Sequence, residues 1–263
     1  MFELRTRRSR IILQIVLLLM VIPYAIPLVQ MVSGSLGGRG FHNYVAVWET
    51  GVVPIYFRNS AIISGSVILL VYIFSMTAGF GFSKLRIFGK DVYFLLILVS
   101  LTLPEVILLS PLFVTFQKMH MFDTFFAVIL PTTALQMPFT ILITRNFIDG
   151  IPSELMEAAR IDGAGELRTF NTVVVPMIKP GVGALAIFTF INSWNDYFMQ
   201  LIMLSSTKNL TISLGIAKMQ AENSTDFGLI MAGAAFAAIP IIIVFLIFQK
   251  YFTKGITMGA VKG

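Results

Sequence analysis

Residues 60–83 read SAIISGSVILLVYIFSMTAGFGFS, an unbroken stretch without a single charge. A helix that crosses the hydrocarbon of a bilayer needs about 20 consecutive apolar residues, and this stretch meets that length. Charge-free runs recur at Ile11–Val32, Thr124–Thr144 and Leu229–Phe248, and Val92–Gln117 and Gly181–Leu204 carry one carboxylate each. The pattern predicts six transmembrane helices. The segments of about 10 residues with alternating polarity that build a membrane barrel are absent. The fold class expected is all-α, a polytopic membrane helical bundle read as a single domain over residues 1–263.

Composition agrees. The chain is 57% hydrophobic and 12% charged, against about 25% charged in soluble domains. The net charge of +6 invites a nucleic-acid reading, but its distribution opposes one. Fourteen Lys and Arg residues precede the first crossing, follow the sixth, or fall in the second-to-third and fourth-to-fifth connections; five fall in the others. Basic residues mark the cytoplasmic face, so both termini are expected in the cytoplasm. The charge encodes topology, and no nucleic acid is expected as a partner. The first apolar run, at 22 residues, exceeds the roughly 7–15 of a signal-peptide core, so an uncleaved crossing is expected. With no cysteine, disulfides and thiolate metal sites are excluded.

The external connections are uneven. Ser33–Asn59 is long, broken by Gly34, Gly37, Gly38 and Gly40, and carries Phe41, Tyr44 and Trp48, aromatics suited to headgroup depth. Lys118–Asp123 is a tight turn, and Ser205–Gly228 is a loop that contains Thr211-Ile212-Ser213-Leu214-Gly215 and then polar Gln220 to Asp226. His42 and His120 are isolated in outer loops, so no metal site is expected. In the sixth run, Gly233 with Ala232, Ala234 and Ala235 suits close helix packing.

The fourth-to-fifth connection differs from the rest. Ile151-Pro152-Ser153-Glu154 is a helix start, since proline is tolerated in the first turn and early carboxylates suit the positive end of the dipole. Leu155 to Asp162 favours helix, Gly163 is placed as a stop, and a second short helix is expected from about Gly165 to Thr172, ending before Pro176. Leu155, Ala158, Ala159 and Ile161 offer small or apolar contacts; Glu157, Arg160 and Asp162 offer charge. One reading lays this pair of helices on the inner leaflet. Such helices are usually rich in Lys and Arg, whereas Asp149–Glu166 holds five acids and one base. An anionic leaflet repels that surface, which favours a docked protein.

Glu157-Ala158-Ala159, followed by Gly163 and then Val173, Val175 and Pro176, resembles the EAA loop of ABC-importer permeases. The family usually has Ile and Leu where Val173 and Val175 stand. Ser193-Trp194-Asn195-Asp196-Tyr197-Phe198 resembles a signature of carbohydrate-importer permeases. Gln249-Lys250-Tyr251-Phe252, Gly255 and Gly259-Ala260-Val261-Lys262-Gly263 resemble the tail of their maltose-type second subunit. Leu103-Pro104-Glu105 and Asn146 to Pro152 match as well. The likeness runs from about residue 59 to the end and is weaker through the first crossing. Gln200 stands where the family commonly has proline, which questions the helix break there and adds an amide that could face substrate.

The resemblance implies a type I importer in the inner membrane of a prokaryote. This chain and a second homologous permease subunit form the pathway. Two cytoplasmic ABC ATPases each hold one EAA loop, here about residues 147–178, and an external solute-binding protein delivers the sugar substrate. The chain has no Gly-x-x-x-x-Gly-Lys-Ser/Thr run, so it is not read as an enzyme or as binding a cofactor; ATP and Mg would be used by the partners. Glu157, Ala158, Ala159, Arg160, Asp162 and Gly163 are the expected coupling residues. Glu105, Asn192, Trp194, Asn195, Asp196 and Gln200 are the candidate substrate pathway. Gly259, Ala260, Lys262 and Gly263 are the candidate tail contact with the ATPases, although composition alone makes the tail a basic anchor.

Individual residues keep plainer readings. Glu157 is either a solvated helix charge or half of an intermolecular ion pair. Asp196 either touches sugar or ties its helix to a neighbour, since carboxylates inside a membrane are costly and face a cavity or a partner. At helical spacing Asn192, Asn195 and Asp196 share a face and Trp194 lies off it. Glu105 either lines the pathway or is solvated near the outer interface. The nearest rival function is an ABC permease for a polyamine or phosphate. An ion-coupled transporter would need paired intramembrane charges and repeated broken helices, and a membrane enzyme would need clustered acids or histidines.

Overall fold

The computed structural model describes residues 7–222 and 226–260, with the side chains of Arg7, Glu222 and 251–260 excepted. All regular structure among the described residues is helical. In chain order the helices are α1 (Arg7–Ser35), α2 (His42–Glu49), α3 (Val53–Lys84), α4 (Lys90–Ser100), α5 (Glu105–Lys118) and α6 (Phe125–Asp149). Then follow α7 (Ser153–Ile161), α8 (Glu166–Thr169), α9 (Val175–Asn195), α10 (Phe198–Met203), α11 (Ile212–Glu222) and α12 (Phe227–Ala260).

Five helical stretches are long and apolar enough to cross a membrane: Arg8–Ser35, Val53–Lys84, Phe125–Asp149, Glu166–Asn195 and Phe227–Lys250. The remaining run is not one straight helix. It divides into α4 and α5, bent by 99° at the break, and makes six spans only if the pair is counted as one. The cause is local. Pro104 is extended, with φ −64° and ψ 131°, and it has no N–H to continue the α4 ladder.

The described residues fall into two compact units. The first takes in α1, α2 and the stretch Ile216–Ile239. Here Asn43 donates to the carbonyls of Ser35 and Gly37 at 2.9 and 2.8 Å. A Cβ on Gly228 would meet Asn43 Nδ2 at 2.6 Å, so glycine is what lets that helix start approach so closely. Tyr44 packs edge-on and Trp48 packs tilted against Phe236, and Arg39 pairs with Asp226 at 3.3 Å.

The second unit spans Pro54–Gly215 with the rest of α12 from Pro240. Helices α3, α6 and α9 form its centre. A Cβ on Gly79 would lie 2.8 Å from Thr144 Cγ2 and 3.2 Å from the Arg145 amide nitrogen, and Gly181 seats the Phe147 ring in the same way. Small residues at such crossings let membrane helices gain dispersion contacts where no hydrophobic drive exists. A buried cluster of Met76, Phe80, Ile148, Ile151, Met156, Phe170, Val174 and Ile178 joins α3, α6, α7 and α9.

The α5–α6 turn and the 204–211 segment are pinned by hydrogen bonds. Asp123, at φ 58°, accepts the amides of Ser205 at 2.9 Å and Ser206 at 3.1 Å. Burial raises the pKa of this carboxyl, but bonds from Ser205, Ser206 and Asn209 outweigh burial and hold it below its usual value. Asn59 donates to the carbonyls of Lys208 and Leu210, both at 2.8 Å.

Candidate functional site

The polar insert folds as helix, turn, helix. Pro152 is extended and α7 starts at Ser153. Gly163, at φ +78° with nothing within 4 Å of a would-be Cβ, reverses the chain before α8. The expected helix end before Pro176 is not found. From Glu166 the helix continues through a π turn at Phe170–Val174 into α9, with Pro176 in its first turn. A π turn widens the spiral, so the proline ring avoids the carbonyl of residue i−4 and its missing N–H breaks no regular α bond.

The coupling residues named from the sequence come together on this loop. Arg160 bonds Glu166 through Nη2 at 3.0 Å and Nε at 3.2 Å. Glu157, Ala158 and Asp162 are exposed, Ala159 is half-buried, and Glu157 has no hydrogen bond or ion pair among the described residues. Ile161 at 86% and Leu167 at 74% exposure stand out from it, while Met156 at 3% roots α7 in the buried cluster. Leu167 was not singled out by sequence, although its place one residue after Glu166 in an acidic, glycine-flanked helix start is the signal that finds it.

A second feature is a cleft of about 480 Å³ whose walls include Glu105, Thr132, Gln136, Phe139, Phe188, Asn192, Asn195, Asp196, Tyr197 and Phe198. Two helix breaks meet there. One is the α4–α5 bend, with Glu105 in the first turn of α5. The other lies between α9 and α10, where Asp196 has φ −57° and ψ 122°. Asp196 Oδ2 accepts the Thr132 hydroxyl from α6 at 3.1 Å, and Oδ1 accepts the Met199 amide in the first turn of α10 at 3.2 Å. The carboxylate thus caps α10 and ties it to α6 while still facing the cleft. Interrupted helices inside a membrane occur where they line protein or a water-filled cavity. Phe139 and Phe188 stack at 4.9 Å across one wall. Gln136 Oε1 is buried without a partner among the described residues, and among them no Lys, Arg or His lines the cleft.

Of the candidate pathway residues, Glu105, Asn192, Asn195 and Asp196 therefore share this cleft, and Trp194 and Gln200 do not. Trp194 is 3% exposed, wedged against Phe57 and Phe190. Gln200 is 1% exposed; it accepts the Thr211 hydroxyl and donates to the Ser193 carbonyl at 3.3 Å. Its amide serves the interior of the fold and does not face the cleft. The helix break doubted for want of a proline at 200 is present nonetheless, four residues earlier, because the Asp196 side chain replaces the helical partner of the Met199 amide. Gln136, Phe139, Phe188, Tyr197 and Phe198 were missed as lining; they lie in apolar runs where only the depth of packing separates core from wall.

Gly259 and Ala260 fall in the last turn of α12, but their contacts lie outside the described side chains, and Lys262 and Gly263 lie outside the described residues.

Comparison with known proteins matches the model of one family, "binding-protein-dependent transport system inner membrane component", to residues 72–258. The chain is 35% identical over 222 residues to the arabinooligosaccharides transport system permease protein of Halalkalibacterium halodurans, covering 84% of this chain and 79% of that one. It is 32% identical to the melibiose/raffinose/stachyose import permease protein of Bacillus subtilis, covering 98% of this chain and 99% of that one. Its fold is similar to a chain of a bacterial ABC transporter involved in the import of the acidic polysaccharide alginate, with TM-score 0.78 at 23% identity over 95% of this chain and 99% of that one.

Proposed function

The chain belongs to the family of binding-protein-dependent transport system inner membrane components, and from that premise we propose that it is a permease subunit of an ATP-driven sugar importer. It sits in a prokaryotic inner membrane with both termini cytoplasmic, beside a second homologous permease, above two ABC ATPases and below an external solute-binding protein. The observation that carries this reading is the pairing of an exposed acidic and apolar loop at α7–α8 with a cleft of amides, carboxylates and aromatic rings where two helices break.

Each part has a chemical task. Glu157, Ile161 and Leu167 offer an ATPase one charge and two apolar side chains; an ion pair there contributes a few kcal/mol if desolvated and little at a wet rim. ATP-driven closure of the ATPases moves the loop, and the loop moves the helices that bound the cleft. In the cleft, ring faces pack against sugar C–H groups, while Asn192, Asn195, Gln136 and the carboxylates bond hydroxyls. The sugar names borne by two relatives support that substrate class. The second reading, a polyamine permease, draws on Glu105 and Asp196, beside which the described lining holds no cation; the same charges oppose phosphate.

Native mass spectrometry of the chain purified in mild detergent from its own membranes tests the assembly. One copy with a second permease and two ATPase chains is expected. The chain alone, or a homodimer without ATPase, sinks the importer reading. Uptake of labelled oligosaccharide against labelled spermidine by the same cells separates the two substrate classes.

A further inference from the structure

The root of the α7 loop is tied to two long helices by polar contacts that stability does not require. Asp149, the last residue of α6, accepts the Ser83 hydroxyl of α3 at 2.6 Å through Oδ1. Its Oδ2 lies 3.6 Å from Arg145 Nε one turn earlier. Two residues on, Lys84 at the end of α3 donates to the carbonyl of Ile151 at 2.9 Å. The Arg145 guanidinium also stacks 4.0 Å over the Phe94 ring, which ties α4 to the same point.

The Asp149 contacts are partly open to solvent. Asp149 is 41% exposed at its side chain, and exposed pairs contribute about 0–1 kcal/mol. The fold there is held by the buried cluster around Phe80, Ile148, Met156 and Phe170. Beside them a groove of about 480 Å³ separates Lys84, Leu85 and Arg86 from Ser153, Glu157, Arg160 and Glu166. Helix α7 is therefore fastened by Met156 as a pivot, has open space on one side, and is held at its root by a few weak directional bonds. Such bonds fix an angle more than they add stability.

We propose that Asp149 is a positioning residue for energy coupling: with Ser83 and Arg145 it clamps the root of α7 to the ends of α3 and α6, so that a push on the loop moves both helices together. The proposal rests on the reading of α7–α8 as the ATPase contact. Without the clamp the loop tilts into the groove and part of its stroke is lost.

The test uses the whole importer, purified with its partner subunits and binding protein and reconstituted in liposomes, and reads ATP hydrolysed per sugar imported. Asp149→Ala and Ser83→Ala are each expected to raise that ratio about threefold, the scale of a modest change in coupling free energy, at unchanged recovery of complex. Asp149→Asn, which still accepts from Ser83, restores most of the coupling. The double Asp149→Ala/Ser83→Ala variant is no worse than Asp149→Ala alone, since the two partners share one interaction.

An unchanged ratio in Asp149→Ala overturns the proposal. So does a parallel fall of hydrolysis and uptake at constant ratio, or two single effects that multiply in the double variant. Should Asp149→Ala lower recovery of complex, Ser83→Ala, which removes one hydroxyl, decides the matter alone. Absence of ATP-driven uptake by the unaltered assembly counts against the importer reading itself, whereas a working importer indifferent to Asp149 and Ser83 removes only the clamp.

Discussion

Arg160 bonds Glu166 at 3.0 Å across the Gly163 turn. Arg160 therefore satisfies an acid of its own loop, and Glu154 and Glu157 are left as the unpaired acids of α7 among the described residues. Arg160 and Glu157, three apart on α7, differ in their partners: Arg160 braces the turn, and Glu157 stays exposed on the wall of the groove beside it. An exposed pair of this kind stabilises by about 1 kcal/mol or less. Arg160→Gln is expected to weaken ATPase retention only a few-fold, while Glu157→Lys, which reverses a charge of the proposed contact, weakens it about a hundredfold. Retention of ATPase subunits during purification at graded salt measures both. Equal losses for the two substitutions would mean that the ion pair, not the free carboxylate, makes the contact.

Ile161 and Leu167 are large, exposed apolar side chains on either side of the same turn. Replacing both with Ser removes about 2–4 kcal/mol of burial from any complex they enter, at about 25 cal/mol per Å², and leaves the isolated chain as stable as before. The double variant is expected to reach the membrane at normal levels and recover little ATPase. Normal recovery would assign docking to another part of the loop.

Gly163 separates strain from crowding. Its φ of +78° disfavours a side chain, yet a Cβ there meets nothing within 4 Å. The cost is conformational, about 1 kcal/mol for Ala and more for a β-branched residue, with Asn tolerated best. Uptake is expected to fall in the order Gly, Asn, Ala, Val, with little change in the thermal stability of the purified chain. A loss as large for Asn as for Val would point to a partner atom packed against the glycine.

Legibility in the sequence followed the physics of each signal. Charge-free runs located the long helices because a bilayer imposes length and apolarity together. The Pro152 start and the Gly163 stop were legible because each depends on one residue's backbone. Asn192, Asn195 and Asp196 were placed on one face, with Trp194 off it, by helical spacing alone, and the structure keeps that division. The π turn at Phe170–Val174 was not legible, because a proline at 176 ordinarily ends a helix and nothing local announces the wider turn. Helix α11 was hidden in a segment read as a loop. Phe139 and Phe188 were hidden because an apolar run does not say which side chains meet an opening.

Gln200 gives the sharpest disagreement between residue type and place. An amide next to a sugar-permease signature invites a binding role, yet it is buried and bonded to the Thr211 hydroxyl and the Ser193 carbonyl. Gln200→Leu strands the Thr211 hydroxyl in the interior and is expected to cost about 1–3 kcal/mol. The double variant Gln200→Leu/Thr211→Val removes both partners and recovers most of that loss. Thermal unfolding of the purified chain in detergent reads the cycle, and sugar uptake at saturating substrate should follow stability, not sugar identity. A change in which sugar is carried, with stability unaltered, would return Gln200 to the pathway.

Asp196 is the opposite case, a carboxylate that caps a helix and faces the cleft at once. Asp196→Asn still offers a carbonyl oxygen to Thr132 or to the Met199 amide, so α10 keeps a cap and the complex assembles. Asp196→Ala removes both bonds, which costs about 1 kcal/mol for the cap alone, and lowers assembly as well as uptake. If the carboxylate also bonds sugar, Asp196→Asn reduces uptake about tenfold or more in complexes recovered at normal yield, the loss expected when a charged hydrogen bond becomes a neutral one. Uptake per assembled complex is the quantity to measure. Full activity in Asp196→Asn confines Asp196 to its structural role and leaves Asn192, Asn195 and the paired Phe139 and Phe188 rings as the surface that meets the substrate.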